Sequence, residues 1–145
     1  DERSFDGHLV IKESGSPEGW IRYVAREGFV LRNDRQGPLI TLRKARYVIL
    51  EGLTLRGGLK DAVIVDKCEH VRIANCDIAG WGRIGTQRFD LDGKFYTEAG
   101  SAINWDTAIR ISKSLGTVVE RCYIHDPVSA ANSKNCKPPL AALPT

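Results

Sequence analysis

Between residues 40 and 55 apolar side chains recur two apart, as the pairs Ile40/Leu42, Val48/Leu50 and Leu53/Leu55, with Ala45 between the first two pairs and short polar corners separating them. A spacing of two is that of a strand with one buried face. The same series returns 23 residues later as Val63, Val65, Cys68, Val71, Ile73, Cys76 and Ile78. A doubled shift of 46 carries it on to Ile109, Ile111, Ser114, Thr117, Val119, Cys122 and Ile124. Strands this short bury nothing alone, so their apolar faces must be covered by neighbouring copies of the repeat. The pattern predicts an all-β fold: a right-handed parallel β-helix, a three-sided solenoid of 23 residues per coil and about four to five coils. An up-and-down or sandwich sheet would not require the same inward positions to recur at one fixed shift.

Upstream, Leu9-Val10-Ile11, Ile21-Arg22-Tyr23 and Phe29-Val30-Leu31 supply a less regular coil, with Gly15-Ser16-Pro17-Glu18-Gly19 as its turn. The solenoid is expected to occupy residues 1–126, with an inserted loop at 80–107. Residues 127–145 read as an irregular tail, because Pro138, Pro139 and Pro144 cannot donate to a strand ladder. That tail is either a cap or the point where a longer solenoid is interrupted.

A length of 145 residues suits one domain. The net charge of +3 arises from 21 basic and 18 acidic residues mixed throughout, which does not make the clustered basic stripe of a nucleic-acid-binding protein. No apolar run is long enough to span a bilayer. The chain has no Met and begins Asp1-Glu2-Arg3, which reads as a processed or trimmed secreted (extracellular or periplasmic) protein. Cys68, Cys76, Cys122 and Cys136 lack the spacing of a zinc site. The first three fall on the apolar ladder, where Cys acts as a small hydrophobe, and a disulfide is not assignable from spacing.

Two stretches, Tyr47-Val-Ile-Leu-Glu-Gly-Leu-Thr-Leu-Arg-Gly57 and His70-Val-Arg-Ile-Ala-Asn-Cys-Asp-Ile-Ala-Gly80, resemble the right-handed β-helix superfamily that includes pectate-lyase-like proteins. Gly19-Trp-Ile-Arg-Tyr-Val-Ala-Arg-Glu-Gly28 is similar to the first coil of secreted members related to alginate lyases and chondroitinase B. The resemblance covers residues 8–126 and implies the fold. Its members include polysaccharide lyases, glycoside hydrolases, epimerases, adhesins and non-catalytic surface proteins, so fold analogy leaves the activity open. Lyases of this kind commonly use Lys or Arg beside a calcium ion, but no catalytic motif of theirs matches this sequence residue by residue.

Candidate chemistry lies where the repeat is interrupted. Seven residues connect Leu55 to Val63, whereas thirty connect Ile78 to Ile109. Insertions in a repeat protein gather on the binding face. This one carries Trp81, Arg83, Arg88, Phe89, Asp90, Asp92, Lys94, Phe95, Tyr96, Glu98, Trp105 and Asp106. Such a mixture suits sugar recognition, with Trp81, Arg83, Arg88, Tyr96 and Trp105 as substrate-binding candidates. The alternative is a loop folded back on the solenoid, with Trp81, Phe89 and Trp105 as packing anchors.

The insertion follows the third strand of its coil and is expected to overhang that sheet. Outward residues there form the rows Thr54, Asp77, Tyr123 and Arg56, Ala79, His125, with neighbours ~4.8 Å apart. Asp77 is a candidate general base or ion ligand, His125 or Tyr123 a proton donor, and Arg56 a clamp for an acidic sugar. Ordinary solenoid surface would also be polar at these positions. Asp90 and Asp92 form a fragment of a calcium-binding (Ca2+) loop, or a plain Asp-Gly turn. His8 and His70 read as surface residues.

Two functions follow as expectations. One is binding or lyase-like cleavage of an acidic polysaccharide. The other is a structural or adhesive solenoid that forms homo-oligomers or filaments by stacking coils end to end.

Overall fold

The structure, a computed structural model, describes residues 4–33, 37–85, 102–129 and 132. Among them are β1 (Ser4–Asp6), β2 (Leu9–Ile11), β3 (Ile21–Val24), β4 (Val30–Asn33), β5 (Ile40–Arg43), β6 (Arg46–Glu51) and β7 (Thr54–Gly57). They continue with β8 (Val63–Asp66), β9 (Glu69–Ala74), β10 (Asp77–Ala79), β11 (Ile109–Ser112), β12 (Val118–Glu120) and β13 (Tyr123–His125). The first sheet runs β2-β5-β8-β11, the second β3-β6-β9-β12, and the third β1-β4-β7-β10-β13. All pairings between these strands are parallel. Every third strand returning to the same sheet makes this a three-sided parallel β-helix.

The register follows the sequence repeat. Ile40 lies beside Val63 and Val63 beside Ile109; Val48 lies beside Val71; Leu55 lies beside Ile78 and Ile78 beside Ile124. Upstream, Leu9 pairs with Ile40, Ile21 with Val48 and Val30 with Thr54, which are shifts of 31, 27 and 24 residues. The extra residues are absorbed in corners such as the tight turn in which Ser16 and Gly19 exchange backbone hydrogen bonds.

The corners are turned by residues at positive φ that also stack coil upon coil. The columns are Lys44, Lys67, Lys113; Tyr47, His70, Gly116; Gly28, Gly52, Asn75, Arg121; and Gly57, Gly80, Asp126. Gly58 at φ 101° has a stricter requirement, because an added Cβ would lie 2.7 Å from the Ala62 Cα and 2.8 Å from the Asp61 carbonyl.

Leu50, Leu55, Val65, Ile73 and Ile78 are fully buried, each contributing about 1.5–3 kcal/mol through removal from water. Cys68 and Cys76 are buried free thiols of the same ladder, and burial pushes Cys76 up to about 11. Cys122 is a half-buried free thiol, and Cys136 lies outside the described residues. In the last coil the corresponding inward residues Ile111, Val119 and Ile124 are 47%, 39% and 42% exposed. They border a cavity of about 330 Å³. At the opposite end Phe5, Leu9, Val24 and Phe29 border an apolar cavity of about 310 Å³.

Two Arg–Asp forks fasten the root of the insertion. Buried Asp61 accepts from Arg110 Nε at 2.8 Å, from Arg110 Nη2 at 2.9 Å, and from the backbone and hydroxyl of Thr107. Buried Asp106 accepts from the backbone N–H and Nε of Arg83 at 2.9 Å and from its Nη2 at 2.7 Å. Arg83 also donates to the Ala102 carbonyl, which ties the two ends of the insertion together. Asn132 donates to the carbonyls of Arg83 and Ile103, bringing the start of the tail to the same place.

Candidate functional site

The third sheet presents the two outward rows that the repeat requires. Thr54, Asp77 and Tyr123 are register partners, as are Arg56, Ala79 and His125. The second row continues through Arg32, which is exposed, to Asp6. At ~4.8 Å per strand, adjacent members of the row are neighbours, and Arg32 lies three strand steps from His125 along it.

Arg56, Asp77 and His125 form a connected chain. Arg56 donates through Nη1 to Asp77 Oδ1 at 2.9 Å and through Nη2 to Asp77 Oδ2 at 2.8 Å, a two-pronged pairing. The Nη1 group also reaches the Leu55 and Asp77 carbonyls. His125 Nε2 lies 2.7 Å from Asp77 Oδ1 and Nδ1 lies 2.8 Å from Asp126 Oδ2. With a carboxylate at each nitrogen, both contacts are satisfied as donors only by the imidazolium. Hydrogen bonding to Asp126, and then to Asp77, accordingly raises the His125 pKa above its ordinary value. The Arg56 guanidinium, followed by His125, lowers that of Asp77.

Tyr123 stacks on His125 with ring centres 3.9 Å apart and planes 18° apart, and its side chain is 65% exposed. The free ring surface is apolar and the covered one lies against a cation. Asp77 is held as a weak base with both oxygens engaged. Its chemical capacity here is to orient and charge His125, while His125 is the group with a proton to give.

The insertion candidates fall in different places. Trp81 is buried against the core, and its indole N–H has no hydrogen-bond partner among the described residues. Arg83 is engaged by Asp106, while Trp105 is exposed and its carbonyl accepts from Arg110. Arg88, Asp90, Asp92 and Tyr96 lie outside the described residues, and with them the calcium candidates and the part of the loop expected to overhang the sheet. His8 is exposed, as expected, with Nε2 2.8 Å from the Thr41 hydroxyl.

Two members of the cluster do not appear in the sequence reading. Asp126 immediately follows His125, and its position at the end of a strand was its only signal. Arg32 belongs to a coil displaced by 24 rather than 23 residues, so the regular ladder stops short of it. Among the described residues no helix is long and apolar enough to cross a membrane. Comparison with protein-family models, with curated proteins and with solved structures gives no match.

Proposed function

We propose that this chain is a secreted β-helix protein that binds an acidic polysaccharide across its third sheet and cleaves it in the manner of a lyase. The observation carrying this reading is the stacked Tyr123–His125 pair, held by two carboxylates in line with Arg56 and Arg32. The parallel β-helix, and the resemblance of residues 47–57 and 70–80 to pectate-lyase-like proteins, support it by analogy of fold alone. Elimination from a uronate requires a cation for the carboxylate, an acceptor for the carbon-bound proton and a donor for the leaving oxygen. Arg56, the nearer cation of the row, provides the first, and Arg32, without an ion pair among the described residues, meets the carboxylate of a sugar further along it. The Tyr123 hydroxyl takes the carbon-bound proton as it passes its own to solvent; the released electron pair forms the carbon–carbon double bond as the carbon–oxygen bond breaks, and the leaving oxygen takes a proton from His125.

The test is release of unsaturated sugar from polygalacturonate, alginate and chondroitin, followed by ultraviolet absorbance with and without calcium. Product is expected from the unaltered chain, with a rate at least ~10²-fold lower in His125→Ala and in Tyr123→Phe. Absence of both binding and product across these polymers would overturn the reading.

A second reading, end-to-end assembly, rests on the exposed apolar residues at both ends of the described solenoid. Val24 and Phe5 at one end, and Ile111 and Ile124 at the other, leave apolar surface that a further coil would cover.

A further inference from the structure

At the corner between the first and second sheets two columns run along the solenoid. Lys44, Lys67 and Lys113 follow one another coil by coil after β5, β8 and β11. Their side chains are exposed and their backbones lie at φ 55°, 54° and 49°. This left-handed region suits glycine or asparagine and disfavours lysine. Like charges stacked in register also repel. No ion pair engages any of the three among the described residues. The carboxylates of the same corner segments are already taken, Asp66 by Arg43 at 3.7 Å and Glu69 by Arg46 at 3.1 Å.

Three residues further along each coil stands a column of rings. Tyr47 and His70 stack with centres 4.9 Å apart, and Trp20, 37% exposed, meets Tyr47 edge-on at 5.5 Å. Tyr47 and His70 both lie at φ 54°, a region that a bulky residue such as Tyr avoids and that His tolerates better. The corner after the second sheet uses Gly28, Gly52 and Asn75 at its left-handed positions, and Arg121 only in the last coil. Strained backbone that recurs in register, and holds unpaired amines beside aromatic rings, has the character of a binding surface.

We propose that this corner is a track for a linear, carboxylate-bearing polysaccharide lying along the solenoid axis. Its acid groups meet Lys44, Lys67 and Lys113, and its sugar faces pack against the Trp20 side of the ring column. The amines repeat at the ~4.8 Å strand spacing, in step with an extended chain bearing one carboxylate per sugar. Phosphates of a nucleic-acid duplex, spaced at ~3.4 Å of helix axis per strand, are out of step with it. The inference takes its substrate class from the function proposed above and adds a line of contact separate from the row of Arg32, Arg56 and His125.

The experiment is calorimetric titration of the full chain with polygalacturonate over a salt series, using Lys44→Asn/Lys67→Asn/Lys113→Asn. Because asparagine tolerates the left-handed region, the variant is expected to melt no lower than the unaltered chain. It should nevertheless bind at least tenfold more weakly and with a shallower salt dependence. Lys67→Asn alone should show the same signs at smaller size, which covers poor folding of the triple variant. Lysine-variant affinity within twofold of the unaltered chain overturns the track. If Arg32→Ser then abolishes binding, the third-sheet reading survives alone. Loss of binding in the lysine variant with retention in Arg32→Ser supports the track. No affinity for polygalacturonate in the unaltered chain removes both, and tighter binding of duplex DNA than of polygalacturonate removes the track.

Discussion

His125 has Asp126 on one ring nitrogen and Asp77 on the other, and each carboxylate favours the charged ring. Its pKa is raised in the folded chain above the ordinary imidazole value of ~6.5. The stabilisation from this group is therefore fully present below that value and is lost as pH rises through the folded pKa. Asp77 behaves oppositely: its lowered pKa gives stabilisation present above the ordinary ~3.9 and lost as pH falls through the folded value. NMR titration of the His125 ring is expected to give a midpoint above ~6.5, and Asp126→Asn should move it down, since Asp126 is the larger influence. The urea midpoint of the unaltered chain should decline through the same pH range, and by less in Asp126→Asn. A His125 midpoint at or below the ordinary imidazole value would leave the proposed mechanism without its proton donor near neutrality.

At the scale of strands, one ladder position has different energetic weight in different coils. Leu50 on β6 has neighbouring coils on both sides and is fully buried, whereas Ile124 on β13 is 42% exposed. Leu50→Ala should cost about 2–5 kcal/mol by urea denaturation, combining lost transfer energy with a cavity. Ile124→Ala should cost roughly 1 kcal/mol. Equal losses would mean that Ile124 is covered in solution. The inward ladder from Ile40 to Ile124 was legible in the sequence because stacking demands apolar residues at a constant shift. The grouping of Arg56, Asp77, Tyr123 and His125 was legible for the same reason, since outward residues inherit the register. The forks were not: Asp61 and Asp106 look like surface carboxylates until the fold brings Arg110 and Arg83 to them from 49 and 23 residues away. The left-handed corners escaped notice where Lys, Tyr and His occupy them, because nothing in those side chains signals positive φ. In the stacked columns Gly28, Gly52, Gly57, Gly80, Gly116 and Asn75 carried that signal.

Across the whole molecule, coil stacking satisfies the backbone between neighbouring strands and leaves outer strand edges at the two ends. In the described structure these belong to β1, β2 and β3 at one end and β11, β12 and β13 at the other. Both ends carry three parallel edges around exposed apolar residues, so one end can receive the other in the same parallel sense that joins the coils. Such a head-to-tail contact would use two different surfaces and, where its rotation does not close a ring, would grow filaments rather than a fixed dimer. A charge placed in the mouth opposes it, as charged residues do on exposed sheet edges. On this reading, light scattering over a concentration series should show mass rising above the 16.1 kDa of the single chain, with elongated particles by electron microscopy. Val119→Lys/Ile124→Lys should return the mass to that of one chain while leaving the far-ultraviolet circular dichroism unchanged, because both side chains already face the open mouth. A constant single-chain mass for the unaltered protein would eliminate the stacking reading and leave the outward faces of the solenoid as the place to look for function.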